Sequence, residues 1–288
     1  LGECSFILQT KTHRSNDGAT LNSAKLPRRS ALRFKCPIAF LVLSAMAVSC
    51  GVQAQASLPD APEPQPDVTT VKGFPVSVLK DQKAIWTSPA HIRVKDLDWL
   101  VPLAAVTGLA IATDRDAMLH VVPIDAKLNK RSTDASNVLT GGMIAAPVGL
   151  FGWGALKNDP HAREAGLLGA EAMVDGVVVE QGLKLVFWRE RPSADNAHGK
   201  FFQSSAGVDG SFPSSHTVIT WASAAVLADE YPSLLNRLLI YSAATGVSLT
   251  RVVGQQHFPS DVVVGSAAGW LIGHYVFKRH HKEIVDQY

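Results

Sequence analysis

The chain has 288 residues, 47% of them hydrophobic and 18% charged, enough for one large domain or two small ones. Its formal net charge of +2 is owed to residues 1–56, which hold 7 of the 27 Lys+Arg and 2 of the 25 Asp+Glu; the remainder, 20 against 23, is net −3, which excludes a basic field for nucleic acid. Cys4, Cys36 and Cys50 are the three cysteines and all lie in that same stretch, so the rest of the chain has no disulfide, thiolate zinc site or cysteine nucleophile.

Taken from the N-terminus, "KLPRRSALRFK" carries five basic residues and no acid, "PIAFLVLSAMAV" is an apolar core, and Ala54-Gln55-Ala56 fits a small-x-small cleavage site. That order describes a secretory signal over residues 1–56, too short in its apolar part to span a bilayer. Export to the periplasm or cell envelope is therefore expected. "SLPDAPEPQPDVTT" follows, and its prolines among polar residues predict an extended linker over 57–75. A helical domain is expected over 76–288.

From Trp86 onward, six apolar runs of helical length are separated by charged or Pro/Gly-containing breaks. They are "DWLVPLAAVTGLAIAT", "NVLTGGMIAAPVGLFGWGAL", "REAGLLGAEAMVDGVVVEQGLKLVFW", "HTVITWASAAVLADE", "LNRLLIYSAATGVSLTR" and "DVVVGSAAGWLIGHYVFKRHH". With no Asn-Gly or Asp-Gly hairpin between alternating segments, the pattern predicts an all-α bundle of about six core helices. Most runs stop short of the roughly 20 residues a spanning helix needs. The third also carries Glu171, Asp175, Glu180 and Lys184, which are expensive in lipid. The balance favours a periplasmic bundle, with membrane attachment open, over an integral protein. Gly265, Gly269 and Gly273, four apart, allow close helix packing in either setting.

Three polar clusters interrupt this background: "KLVFWRERP" from Lys184 to Pro192, "SFPSSH" from Ser211 to His216, and "TRVVGQQHFPSD" from Thr250 to Asp261. Lys184, Arg191 and Arg251 each end an apolar run, where a bundle can gather them around one anion, and phosphate is the usual match for guanidinium forks. Ser214 and Ser215 precede an apolar helix, so their backbone N–H groups are candidates for an oxyanion cradle at its N-terminus. His257 has Asp261 one helical turn on, an orienter arrangement suited to a nucleophile, and His216 is free to act as acid or base. Taken singly, each cluster is more simply a helix-end charge, a cap or a surface contact; their order and spacing together carry the signal.

Those residues resemble the type 2 phosphatidic acid phosphatase superfamily, which includes bacterial acid phosphatases and vanadium haloperoxidases. Its motifs run K-x6-RP, PSGH and SR-x5-H-x3-D. Here they read Lys184 through Arg191-Pro192, Pro213-Ser214-Ser215-His216, and Thr250-Arg251 through His257 to Asp261, within a motif core of 180–277. Ser215 stands where the family has glycine and Thr250 where it has serine. The resemblance implies an all-α fold with the active site at one end of the bundle. It also implies phosphoryl transfer without metal or other cofactor: His257 attacks phosphorus, Asp261 holds its ring, His216 protonates the leaving group and then activates water. Lys184, Arg191, Arg251 and the Ser214 and Ser215 amides would hold the phosphoryl oxygens. The implied partner is a phosphate ester, whether lipid phosphate, isoprenyl diphosphate or soluble ester. Vanadium-dependent halide oxidation and non-catalytic anion binding are the competing readings of the same site. Phe187, Trp188, Phe201 and Phe202 are either an acyl entrance or packing, with packing favoured; His198 and Lys200 fall in a loop over the site.

Overall fold

A computed structural model describes residues 71–203 and 209–281. The signal sequence and most of the linker lie outside the described residues. Seven α-helices and no strand occur among the described residues: α1 (Phe74–Thr87), α2 (Leu97–Asp116), α3 (Ala126–Lys157), α4 (Pro160–Phe187), α5 (Ser215–Glu230), α6 (Leu234–Val253) and α7 (Pro259–His280). The all-α expectation is met, and each of the six apolar runs falls on one helix from α2 to α7.

Local chemistry sets the breaks between helices. The Asp125 carboxylate accepts from the Leu128 N–H to cap α3, and Asp159 does the same for α4 through Ala162. Between them Asn158 adopts φ 54°, ψ 37°, the left-handed conformation in which asparagine commonly ends a helix, so α3 and α4 form a tight antiparallel hairpin. The Ser233 hydroxyl caps α6 through Asn236, and Pro259 opens α7.

Successive reversals bring the C-termini of α2, α4 and α6 and the N-termini of α3, α5 and α7 to one end. That end receives all three polar clusters. The core behind it is Leu168, Ala172 and Val179 of α4 with Ala222 and Val226 of α5 and Ile272 and Val276 of α7.

The most extensive interface is α5 against α7. A Cβ on Gly265 would meet the Ser214 carbonyl at 3.2 Å and Thr217 Cβ at 3.3 Å. On Gly269 it would strike the Val218 carbonyl oxygen and lie 2.9 Å from Trp221 Cβ; on Gly273 it would strike the Ala222 carbonyl oxygen and lie 2.8 Å from Ala225 Cβ. The glycine stripe thus lets the α5 backbone rest directly on α7.

The helix not foreseen in the sequence is α1. It is held by polar anchors rather than an apolar stripe. Fully buried Asp81 receives His280 Nε2 at 2.8 Å and the Tyr275 hydroxyl at 3.2 Å, with Arg279 Nε at 3.3 Å. Gln82 Nε2 donates to Asp175 Oδ1 at 2.8 Å, and the Trp86 ring fills the space above Gly182.

Replacing Gly269 with alanine is expected to cost about 1–3 kcal/mol through overpacking of α5 on α7. Gly108→Ala, where a Cβ meets nothing within 4 Å, is expected to stabilise α2 by about 0.5–1 kcal/mol. Thermal unfolding midpoints of the two variants, moving in opposite directions, check the assignment.

Candidate active site

The end of α4 supplies Lys184, whose ammonium lies 2.9 Å from Glu180 Oε1 one turn earlier and donates to the Ser215 hydroxyl at 2.9 Å. Ser215 in turn donates to Glu180 at 2.6 Å. The serine that replaces the family glycine therefore does not point into open space; it closes a Glu180–Lys184–Ser215 triangle at the mouth of α5.

Beyond α4 the chain carries two arginines with opposite environments. Arg189 is 2% exposed and saturated with carboxylates: it pairs with Asp114 Oδ2 at 2.7 Å and Asp261 Oδ1 at 2.5 Å, and also donates to Ser260 Oγ at 2.6 Å and the Gly199 carbonyl at 3.2 Å. Its guanidinium lies between the rings of Phe201 and Phe258, 4.6 and 4.2 Å from their centroids. Arg191 meets only neutral acceptors, the carbonyls of Asp209 and Gln256 and the Gln256 amide oxygen.

Arg251, at the end of α6, is the more exposed electrostatically although it is only 5% exposed to solvent. Nη1 donates to Ser136 Oγ at 3.2 Å, its Nε has no hydrogen-bond partner, and no carboxylate pairs with it among the described residues. Burial, with the like charge of Arg191, pushes its guanidinium down to about 10. It remains charged at neutral pH. Two cations without a counter-charge at the bottom of one site are a demand for an anion.

The histidines face this pair. His257, 1% exposed, sits in the turn between α6 and α7, and its Nδ1 donates to the Ser211 carbonyl at 2.7 Å. Asp261 lies 3.8 Å from the same nitrogen, beyond hydrogen-bond range. The Asp261 carboxylate instead receives Arg189, the Ser211 hydroxyl and the Phe258 N–H. The expected direct Asp261–His257 bond is thus replaced by a relay: Asp261 fixes Ser211, and the Ser211 carbonyl fixes the imidazole tautomer, leaving Nε2 unprotonated. Burial lowers the His257 pKa, partly opposed by Asp261, which keeps the ring neutral.

His216, in the first turn of α5, has Nε2 3.0 Å from Asn137 Oδ1 of α3. Burial holds its imidazole down at about 4, and Arg251, His257, Lys184 and Arg191 add to the depression. That roster of perturbing charges shows that the structure brings the three sequence clusters to one place.

The Ser214 and Ser215 amides part company. Ser214 N–H donates to the Asp261 carbonyl at 3.2 Å, so it is spent on joining α5 to α7 rather than facing an anion. The first intrahelical bond of α5 runs from Val218 N–H to the Ser214 carbonyl, which leaves the amides of Ser215, His216 and Thr217 ahead of it at the positive end of the helix. Of the two amides expected at this helix N-terminus, Ser215 N–H stays available and Ser214 N–H does not.

Sequence reasoning missed Arg189, Asp114, Ser260, Ser211, Ser136, Asn137 and Glu180, all in the first or supporting layer. Of the loop residues, Lys200 pairs with Asp195 at 2.6 Å, and His198 Nδ1 bonds the Asp195 carbonyl. Phe187, Phe201 and Phe212 pack edge to face with centroids 5.0–6.2 Å apart, as packing rather than an entrance, while Phe202 is 67% exposed.

The model of the PAP2 superfamily matches residues 165–284. This stretch is therefore similar to that superfamily. The resemblance read from the three motifs is borne out, and the match supports a phosphatase. The chain is also similar to a solved structure described as the first transmembrane PAP2 type phosphatidylglycerolphosphate phosphatase from Bacillus subtilis. The two share 22% identity over 74% of this chain and 99% of that one, with a TM-score of 0.42.

The two arginines of the PAP2 motif region are expected to separate cleanly under mutation. Arg189→Met leaves two buried carboxylates uncompensated and should cost about 3–5 kcal/mol of stability. Arg191→Met relieves repulsion with Arg251 and should leave stability unchanged or raised, while lowering kcat about 10²–10³-fold. Thermal unfolding together with a phosphatase assay on both variants tests this.

Proposed function

We propose that the protein is an exported, membrane-associated phosphatase that hydrolyses lipid phosphate monoesters or isoprenyl diphosphates through a phosphohistidine. The observation that carries the chemistry is the pair Arg191 and Arg251, without carboxylates, beside neutral His257 and His216. A phosphoryl dianion would be the missing counter-charge. Lys184, Arg191, Arg251 and the amides of the first turn of α5 would hold its oxygens, the positioning and charge compensation that phosphoryl transfer chiefly needs.

His257 Nε2 would then attack phosphorus in line as the ester P–O bond breaks. The departing alkoxide takes a proton from His216. In the free protein that imidazole is neutral; a bound dianion offsets the part of its depression that Arg251, Lys184 and Arg191 add to burial, so substrate itself raises the proton affinity of the acid. In the second step neutralised His216 takes a proton from water, whose oxygen attacks phosphorus, and the N–P bond breaks to release phosphate and free His257. The relay from Asp261 through Ser211 keeps the imidazole from rotating in either step.

Membrane association is supported by α2 and α3. Val94–Val121 and Ala126–Lys157 are 28 and 32 residues long and apolar enough to cross a bilayer, and the apolar window of the first has no buried residue. Trp99, Val101 and Leu109 of α2 and Val138, Val148 and Leu156 of α3 are 45–81% exposed. An exposed apolar face of that extent marks an interaction surface, and a substrate with an acyl or prenyl tail would arrive along it.

Rapid-quench labelling with a 32P-phosphate ester is expected to trap an acid-labile, base-stable phosphoenzyme in the wild type and none in His257→Ala. Turnover at wild-type rate in that variant would overturn the mechanism, and phosphate binding without turnover across an ester panel would make the site a binder only. Separately, the full chain is expected to stay with membranes after sodium carbonate extraction; release into the supernatant would sink the assignment of α2 and α3 to lipid.

A further inference from the structure

At the end of the bundle opposite the active site, α4 begins, α5 ends and α7 ends. There Glu164 of α4, Glu230, the last residue of α5, and His281, immediately after α7, bring one ligand atom each to within 4.8 Å of one another. His281 Nδ1 lies 3.4 Å from Glu230 Oε1 and 3.6 Å from Glu164 Oε1. On its other side, Glu230 Oε2 lies 2.9 Å from His161 Nε2.

Two carboxylates meet the C-terminal ends of two helices, each equivalent to about half a negative charge, beside the N-terminal end of α4 with its half-positive one. The titratable groups that bear on Glu230 are Glu164 and the imidazoles of His281 and His161. Arg237 covers only the Ala228 carbonyl in the last turn of α5. The Glu230 side chain is 0% exposed, and neither of its oxygens accepts a hydrogen bond; the buried Nδ1 of His281 likewise makes none. Imidazole nitrogens and carboxylate oxygens converge there at short range. The rings are also fixed from outside, His161 edge-on to Tyr231 at 4.9 Å and His281 stacked on Phe277 at 4.5 Å.

We propose that Glu164, Glu230 and His281 bind a divalent transition-metal cation, with His161 holding the outer oxygen of Glu230. One nitrogen and two carboxylate oxygens suit Zn2+ and its neighbours, and three protein ligands leave a coordination position for water. The neighbouring cluster of Asp81, Glu171 and His280 differs in that Tyr275, Arg279 and His280 already engage Asp81. The metal would tie the start of α4 to the ends of α5 and α7, about 28 Å along α7 from Asp261 at 1.5 Å per residue, too far to touch a substrate.

Isothermal titration of ZnCl2 into the EDTA-treated full chain tests this, with Glu230→Gln and His281→Asn measured alongside. One Zn2+ per chain is expected, bound at least tenfold more weakly by each variant, with a Zn2+-dependent rise in the wild-type unfolding midpoint that both variants lose. Phosphatase activity of both variants, expected to remain near wild type without added metal, verifies that they are folded. Equal Zn2+ affinity in wild type and variants, or no stoichiometric binding, overturns the site.

Discussion

The backbone contact between α5 and α7 is the constraint on which the site rests. His216 lies in the first turn of α5 and Asp261 in the first turn of α7, so their separation is set by how closely two helix axes approach. Gly265, Gly269 and Gly273 remove every Cβ that would hold them apart, and the Ser214 N–H to Asp261 carbonyl bond pins the two N-termini in register. An amide that the motif offers for anion binding is consumed in doing so. The helix N-terminus supplies replacements in its next three residues, which is why the exchange is tolerable.

Charge is distributed around this axis in two layers. In the inner layer Arg191 and Arg251 are left without acids, a destabilising arrangement in an empty pocket that becomes favourable only with an anion present. Behind it Arg189 is compensated twice, by Asp114 and Asp261, and clamped between two aromatic rings. The uncompensated charge is confined to Arg191 and Arg251, and Arg189 behind them is satisfied. The Glu180–Lys184–Ser215 triangle lies between these extremes, since Lys184 is held in place by an acid yet remains at the entrance of α5.

The six apolar helices were legible because their length, composition and Pro/Gly breaks are local properties. Helix α1 was not, because Asp81 and Gln82 look like surface residues until His280, 199 positions away, is known to meet them. In the candidate site, Lys184, His216, Arg251 and Asp261 could be read because each stands near the end of an apolar run, and His257 because it lies between two of them at fixed spacing. Nothing local distinguishes Arg189 from Arg191 in "KLVFWRERP"; the difference is Asp114, 75 residues earlier, and Asp261, 72 later. The same limit explains Asp261 itself. Its spacing from His257 is right for a direct bond, but Ser211, brought in from 46 residues away, has the nearer acceptor.

Arg189's reach to Asp114 has a bearing on modularity. The recognisable family signature occupies residues 165–284, yet the contacts that keep the candidate site in shape extend back through Asn137 and Ser136 to Asp114. A fragment trimmed to the signature would retain every motif residue and lose the acid that neutralises its most deeply buried cation. The unit that natural selection can shuffle intact is accordingly larger than the unit that sequence comparison detects, and its N-terminal border lies before the last turn of α2.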